Sequence, residues 1–312
     1  MQLLRLLATA ALAVCAEARQ RVTFESSGTQ IVGYHYPPTR PKGPAPAVII
    51  AHGLGGLQSS RLQPYAERFA AAGYNALTFD YRYWGESAGE PRNIIEVVSQ
   101  EDDYQAAIAY MQTLSSVDPK RIVVWGTSLS GGHCLQLGAK LSNLSAVIVQ
   151  APHVNGPATV SQLPPASLPG LIAVGADDDA RAATDAPPLY IPTANKTGEY
   201  GALTQAGAYE GYQFVQPNPP PPGNVFPARF VTELPFFSPD FFAAKSKVPT
   251  FFAVGLTDNI VSPDASLALA KKMNATLLKL PGAGHFDVYP GKFAYEQNVR
   301  AQLAFLQKNV PL

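Results

Sequence analysis

The stretch RIVVWGTSLSGGH, residues 121–133, places a serine between small residues directly after an apolar run. The apolar run is typical of a buried strand, and a serine at the end of such a strand can be held on a sharp turn into a helix. This turn needs small neighbours, because strand and helix approach closely, and Gly126 meets that need. The last glycine of the G-x-S-x-G pattern is replaced by Ser130, the next smallest polar residue. We predict that Ser128 is a nucleophile, with an ordinary strand-to-helix loop as the alternative.

Two further residues could activate Ser128. Asp258 lies in the loop after the apolar run FFAVG, and His285 lies in the loop after the next run, TLLKL. A serine oxygen becomes a good nucleophile when a histidine removes its proton and an aspartate fixes the imidazole tautomer. We therefore predict a triad in the chain order Ser128, Asp258, His285. Asp264 is the alternative acid, and Asp287 is expected to be a local anchor.

The segment AHGLGG, residues 51–56, follows the first buried run. Its glycines leave backbone N–H groups free to face a ligand, as an oxyanion hole requires. We assign the two donors to the N–H groups of Leu54 and Leu129. A plain tight turn at His52 and Gly53 is the alternative interpretation.

Three further side chains are predicted to contact a substrate. Tyr83 and Trp84, within FDYRYWGESAG (79–89), would add aromatic bulk near the mouth of the site. His153 follows the fourth buried run and is predicted to line the pocket. His133, on the helix after the nucleophile, is expected to face the core or its rim.

The elements that must position these residues alternate between apolar runs and amphipathic segments. A Ser-Ser-Gly turn within residues 21–38 predicts a hairpin, and the apolar runs are typical of strands buried on both faces. This alternation predicts an α/β fold, a mostly parallel sheet with helices on both faces. The predicted strands are 45–53, 75–81, 121–126, 145–152, 248–255 and 275–282, and the predicted helices are 59–74, 96–114, one from Ser128 onwards, 262–273 and one from about Tyr289 onwards.

The alternation breaks after the fourth buried run, where proline and aromatic residues are frequent. A structureless loop of this length is uncommon inside a compact domain. We predict that residues 153–247 form a cap inserted into a core made of residues 19–152 and 248–312. The cap must cover the strand ends, so the cluster Phe236–Phe242 is expected to line the pocket and to set the preferred acyl length.

Composition narrows the range of functions. Lys and Arg together number 23, as do Asp and Glu, so no basic excess exists to neutralise nucleic-acid phosphates. The two cysteines, Cys15 and Cys134, exclude a disulfide framework, and no Cys/His cluster has the spacing of a zinc site. We expect a small-molecule substrate and neither a metal nor an organic cofactor.

The first 18 residues, MQLLRLLATAALAVCAEA, combine one arginine with an apolar run and a small-x-small sequence at residues 16–18. The run is too short to span a membrane, so it favours a cleaved signal peptide and a secreted enzyme without stable membrane insertion. An alanine-rich helical extension on a cytoplasmic protein is the alternative.

The segments AHGLGG, FDYRYWGESAG, GTSLSGGH, GLTDNIVSP and GAGHFDVY together resemble the α/β-hydrolase superfamily. GTSLSGGH is also similar to the nucleophile turn of the fungal polyketide transferases and thiohydrolases. The resemblance implies the α/β-hydrolase fold and an acyl ester or thioester substrate, free or bound to a carrier protein, in fungal-type secondary metabolism. A secreted general carboxylesterase is the second hypothesis, and a non-catalytic binding protein on the same fold is the third.

Hydrolysis and acyl transfer would both begin with an acyl group on Ser128 and would differ in whether water or an alcohol attacks it. A transferase must exclude water while it holds an acceptor. No acceptor-binding motif is recognisable in the sequence, so we predict hydrolysis.

Overall fold

The structure is a computed structural model that describes residues 19–40, 42–217 and 224–312. The predicted signal peptide, residues 1–18, lies outside the described residues. The fold consists of one large sheet covered by helices on both faces, together with a small two-stranded sheet.

The large sheet has eight strands in the order β1-β2-β4-β3-β5-β6-β9-β10. The first two strands form the predicted hairpin, β2 pairs antiparallel with β4, and every other neighbouring pair is parallel. The short strands β7 and β8 pair antiparallel in the small sheet. Within the described ranges the strands are β1 Gln20–Ser26, β2 Thr29–Tyr36, β3 Ala45–Ala51, β4 Asn75–Phe79, β5 Val117–Thr127, β6 Leu144–Gln150, β7 Tyr190–Pro192, β8 Val225–Pro227, β9 Thr250–Gly255 and β10 Thr276–Leu280.

Helices connect the parallel strands and also fill the segment between β6 and β9. No helix in the described ranges is both long and apolar enough to cross a membrane. The α-helices found in the described part of the chain are α1 Gln63–Ala71, α2 Val97–Gln112, α3 Leu129–Lys140, α4 Gly156–Val160, α5 Leu168–Ala182, α6 Ala208–Val215, α7 Phe230–Glu233, α8 Asp240–Ala243, α9 Pro263–Lys272 and α10 Tyr295–Asn309. A 3₁₀ turn, Leu234–Phe236, follows α7.

The central strands are buried on both faces, which explains their continuous apolar sequence. All seven residues of β3 are buried, and successive side chains alternate between two cores. Ile49 packs in the core beneath α2, α3 and α9, whereas Ile50 packs in the core beneath α1 and α10. Because these strands are parallel, their carboxyl ends lie together at one end of the sheet. The loops after β3, β5, β9 and β10 meet there.

Two expectations about the second half of the chain can be compared with the structure. The segment between β6 and β9 adds no strand to the large sheet among its described residues, and we call residues 153–247 the cap segment. The last helix begins at Tyr295, later than the predicted Tyr289. Pro290 and Gly291, the latter with a φ of +93°, explain the delay, because both residues interrupt a helix.

Candidate active site

Ser128 lies on the turn between β5 and α3 with a φ of +56° and a ψ of −122°. A non-glycine residue in this conformation is strained, and surrounding contacts must hold it. A Cβ at Gly126 would clash with the carbonyl oxygen of Ser130, and a Cβ at Gly131 would lie 2.7 Å from the Cβ of Pro152. The small residues on either side of Ser128 therefore allow the strand and the helix to pack closely behind the serine.

The loops after β9 and β10 bring Asp258 and His285 to the same place. His285 Nε2 lies 3.0 Å from Ser128 Oγ, and His285 Nδ1 lies 2.8 Å from Asp258 Oδ2. The other oxygen of this carboxylate accepts hydrogen bonds from the amides of Ile260 and Val261 at 2.9 and 3.1 Å. Since a carboxylate accepts, Nδ1 carries the proton and Nε2 is free to accept the proton of the serine hydroxyl.

Asp264, the alternative acid, and Asp258 lie in different environments. Asp264 is exposed in the first turn of α9, whereas Asp258 is buried against the imidazole. Asp287 accepts a hydrogen bond from the amide of Gly284 at 2.8 Å and so anchors the turn that carries His285, the local role expected for it.

The loop after β3 lies directly against the serine. A Cβ on Gly53 would be 2.7 Å from the Cβ of Ser128, so only glycine fits there without displacement. The amide of Leu54 makes no hydrogen bond among the described residues, and the amide of Leu129 is the first of α3, where helix geometry provides no partner. Both residues line the pocket in front of Ser128.

The carbonyl of Gly53 is held by its own neighbour. His52 Nδ1 lies 3.0 Å from this oxygen and, because a carbonyl accepts, donates to it. Burial lowers the pKa of His52 to about 4, so the imidazole is neutral near pH 7. The loop thus keeps its shape without a charged side chain behind the serine.

A pocket opens in front of Ser128 between the strand ends and the cap segment. Its walls are predominantly aliphatic and aromatic side chains, which suit an apolar group. The wall residues from the cap segment include Leu163, Leu171, Phe226, Phe230, Val231 and Leu234.

The structure places Tyr83 and Trp84 outside this pocket, which corrects their predicted role. Trp84 is buried behind the loop after β3, where its indole N–H donates to the carbonyl of Ile94 at 2.8 Å. The ring of Tyr83 packs over Gly89 in its own turn. Neither side chain lines the pocket, because the turn between β4 and α2 folds back on itself.

His153 does line the pocket, but both of its ring nitrogens are already used. Nε2 donates to the carbonyl of Phe237 at 2.6 Å, and Nδ1 accepts from the hydroxyl of Thr159 at 2.9 Å. Burial lowers the pKa of His153 to about 4, so it offers a neutral ring face to the pocket. His133 is fully buried and bonds Gln100, the core position expected for it.

The cluster Phe236–Phe242 was expected to line the pocket, and this expectation is wrong. Phe236 and Phe241 are 86% and 70% exposed, and Phe242 is 52% exposed. Phe237 is buried, but it is stacked between the rings of His133 and His153 and does not line the pocket. The helical turns that carry these residues point most of the rings away from the strand ends.

Residues 46–292 match the protein family described by the alpha/beta hydrolase fold. The chain belongs to this family. The predicted fold is thereby confirmed, and the match includes the loops that carry Ser128, Asp258 and His285.

This α/β hydrolase is similar in sequence to two relatives and in fold to one solved structure. It is 36% identical over 291 residues to the Quorum-quenching protein AidA of Acinetobacter baumannii, covering 93% of this chain and 95% of that protein. It is 31% identical over 191 residues to a Thiohydrolase of Eupenicillium brefeldianum, covering 61% and 59%. The crystal structure of the alpha/beta hydrolase GrgF from Penicillium sp. sh18 matches with a TM-score of 0.80 at 22% identity, covering 95% and 100%. The predicted resemblance to fungal thiohydrolases is confirmed, and the chain is a hydrolase-family enzyme.

Sequence reasoning missed how this α/β hydrolase builds the pocket and the loop before it. Phe226 and Phe230 form part of the pocket wall, and no sequence motif distinguishes them from the exposed phenylalanines nearby. Ser130 was interpreted as an imperfect glycine, yet its hydroxyl is bonded on both sides. Its departure from the family pattern was the available sequence signal.

Proposed function

We propose that this enzyme hydrolyses esters or thioesters of apolar acyl groups through an acyl-Ser128 intermediate. The observation that carries the proposal is the hydrogen-bonded series of Ser128, His285 and Asp258 facing a pocket with apolar walls. A pocket of this kind accepts an acyl chain and leaves its carbonyl beside the serine.

In the first step, Ser128 Oγ attacks the acyl carbonyl while His285 Nε2 takes the hydroxyl proton. Asp258 accepts the hydrogen bond from Nδ1 and stabilises the imidazolium that forms. The carbonyl oxygen becomes negative and is bound by the amides of Leu54 and Leu129. The amino end of α3 adds a favourable dipole at this oxygen. The bond from the acyl carbon to the leaving oxygen or sulfur then breaks, and His285 Nε2 gives its proton to that atom, which departs as an alcohol or thiol.

In the second step, His285 Nε2 takes a proton from water, and the water oxygen attacks the acyl carbon on Ser128. The bond from that carbon to Ser128 Oγ then breaks, His285 returns the proton to Ser128 Oγ, and the free acid is released. Among the names of the relatives, Thiohydrolase supports hydrolysis, whereas Polyketide transferase ATR5 supports transfer to an alcohol. Hydrolysis is the proposed reaction, because no acceptor-binding motif is recognisable in the sequence. A polyketide thioester is one candidate substrate, and the similarity to a quorum-quenching protein makes quorum-sensing signals a second candidate.

The test is turnover on a panel of linear esters, lactones and thioesters that share one acyl chain. The thioester is tested both as the ester of a small thiol and on a carrier protein, and an acceptor alcohol is added to each reaction. We expect the free acid to be the main product. Ser128→Ala should lower kcat by about 10⁴–10⁶, the usual cost of a lost triad nucleophile. A variant that keeps a tenth of the activity, or an alcohol ester as the main product, would contradict the proposal.

A further inference from the structure

The loop of residues 52–56, which carries the Leu54 amide, is held almost entirely through its carbonyl groups. The Gly53 carbonyl accepts from the His52 ring and also from the amide of Gly56 at 3.1 Å. The carbonyls of residues 52 and 55 accept hydrogen bonds from hydroxyl groups that reach the loop from distant parts of the chain. One hydroxyl comes from α3 and the other from α6 in the cap segment.

The first hydroxyl belongs to Ser130, which is fully buried in the first turn of α3. Its Oγ is hydrogen-bonded to the carbonyl of His52 and lies 2.6 Å from the hydroxyl of Tyr81. Because the carbonyl can only accept, Ser130 donates to His52 and accepts from Tyr81. The ring of Tyr81 also packs edge-on against the His52 ring, with centroids 4.9 Å apart.

The second hydroxyl belongs to Tyr212, a buried residue of α6 in the cap segment. It donates to the carbonyl of Gly55 at 2.6 Å. The side chain of Thr193 packs on the same glycine, and α6 also packs at Gly211 against Phe286, the residue after His285. The cap segment thus touches both loops that meet at Ser128.

We propose that Ser130 and Tyr212 are positioning residues that hold the Leu54 amide in the oxyanion hole, an inference that rests on the proposed function. The carbonyls of His52 and Gly55 lie on either side of Leu54, so fixing both of them limits rotation of the peptide that carries this N–H. An oxyanion donor must lie within about 2.7–3.1 Å of the developing charge, so even a small drift weakens transition-state binding. Ground-state binding in the apolar pocket is left unaffected.

The experiment compares Tyr212→Phe, Ser130→Ala and Ser130→Gly with wild type on a p-nitrophenyl ester. Ser130→Gly restores the glycine of the family pattern and so guards against misfolding of the alanine variant. A trifluoromethyl ketone serves as the oxyanion probe, because Ser128 adds to its carbonyl and leaves an alkoxide in the hole. The matching methyl ketone reports ground-state binding alone.

We expect each variant to lose about tenfold in kcat and about tenfold in trifluoromethyl ketone affinity, less than the 10²–10³ of a deleted donor. KM and methyl ketone affinity should stay within about twofold. Tyr74→Phe and Ser246→Ala, which remove hydroxyls bonded to distant carbonyls, are the matched controls and should resemble wild type.

Two results would overturn the inference while wild type remains active. One is unchanged kcat and unchanged trifluoromethyl ketone affinity in Tyr212→Phe or in Ser130→Gly. The other is an equal loss of affinity for both ketones, which would indicate general damage to the pocket. Absence of wild-type turnover on every ester and thioester would instead refute the proposed function.

Discussion

Gly53 offers a direct test of how closely the loop after β3 must approach the nucleophile. In Gly53→Ala, the new Cβ would lie 2.7 Å from Ser128 Cβ and 3.2 Å from Ser128 Oγ, where ordinary contact begins at 3.4 Å. Loop or serine must therefore move by about 0.7 Å. This movement would stretch an oxyanion hydrogen bond of about 3.0 Å beyond the range in which it stabilises charge.

Loss of one oxyanion donor typically lowers kcat by 10²–10³, about 3–4 kcal/mol. We therefore expect the kcat of Gly53→Ala to be lower than that of wild type by a factor of about 10². The assay is steady-state hydrolysis of a p-nitrophenyl ester, with melting temperature as the check on folding. Gly170→Ala is the matched control, because its new Cβ meets nothing within 4 Å on the exposed side of α5. Its activity should be unchanged. A Gly53→Ala enzyme with more than half of wild-type kcat would refute the steric reasoning.

Three more predictions concern the acid, the pocket wall and pH. Asp258→Asn should lower kcat by about 10⁴, because the wrong histidine tautomer faces the serine, while Asp264→Asn stays within about twofold; the reverse ranking in the ester assay would reassign the acid. Phe230→Ala should shift the preferred chain towards longer acyl groups across p-nitrophenyl esters from butyrate to laurate, while Phe241→Ala, at an exposed site, should leave the profile unchanged. His153 has a folded pKa of about 4, below its ordinary 6.5, so its contribution to stability is present above about pH 6.5 and is lost as pH falls towards 4. Urea unfolding at pH 7 and pH 5 should show that His153→Gln reduces the pH-dependent loss of stability by about 2 kcal/mol, and an unchanged difference would contradict this.

The meeting of Ser128, Asp258 and His285 could be predicted because topology determines it. Each residue lies in the turn or loop after a parallel strand, and the carboxyl ends of these strands lie together at one end of the sheet. The need for a small residue at Gly126 could likewise be predicted from the sequence, since the close approach of strand and helix leaves room for nothing larger. Backbone geometry of this kind depends on residues that are close together in the sequence.

The direction of side chains in irregular segments could not be predicted in the same way. Trp84 and Phe236 stand in turns and short helices where no period-2 or period-3.6 pattern fixes which side faces the pocket. Tyr212 reaches Gly55 across 157 residues of sequence, a contact that only the packed cap segment creates. Ser130 was interpreted as a small replacement for glycine, because the sequence does not show which groups its hydroxyl bonds in the folded loop.

The most direct test of the acyl-serine account is titration with an alkyl fluorophosphonate while ester hydrolysis is followed. This reagent phosphonylates an activated serine and blocks it, and mass spectrometry of the digested protein identifies the modified residue. We predict one label per chain, on Ser128, with activity lost in proportion to labelling, and no label in Ser128→Ala. Full activity in enzyme labelled completely at Ser128, or inactivation with the label on another residue, would contradict the account.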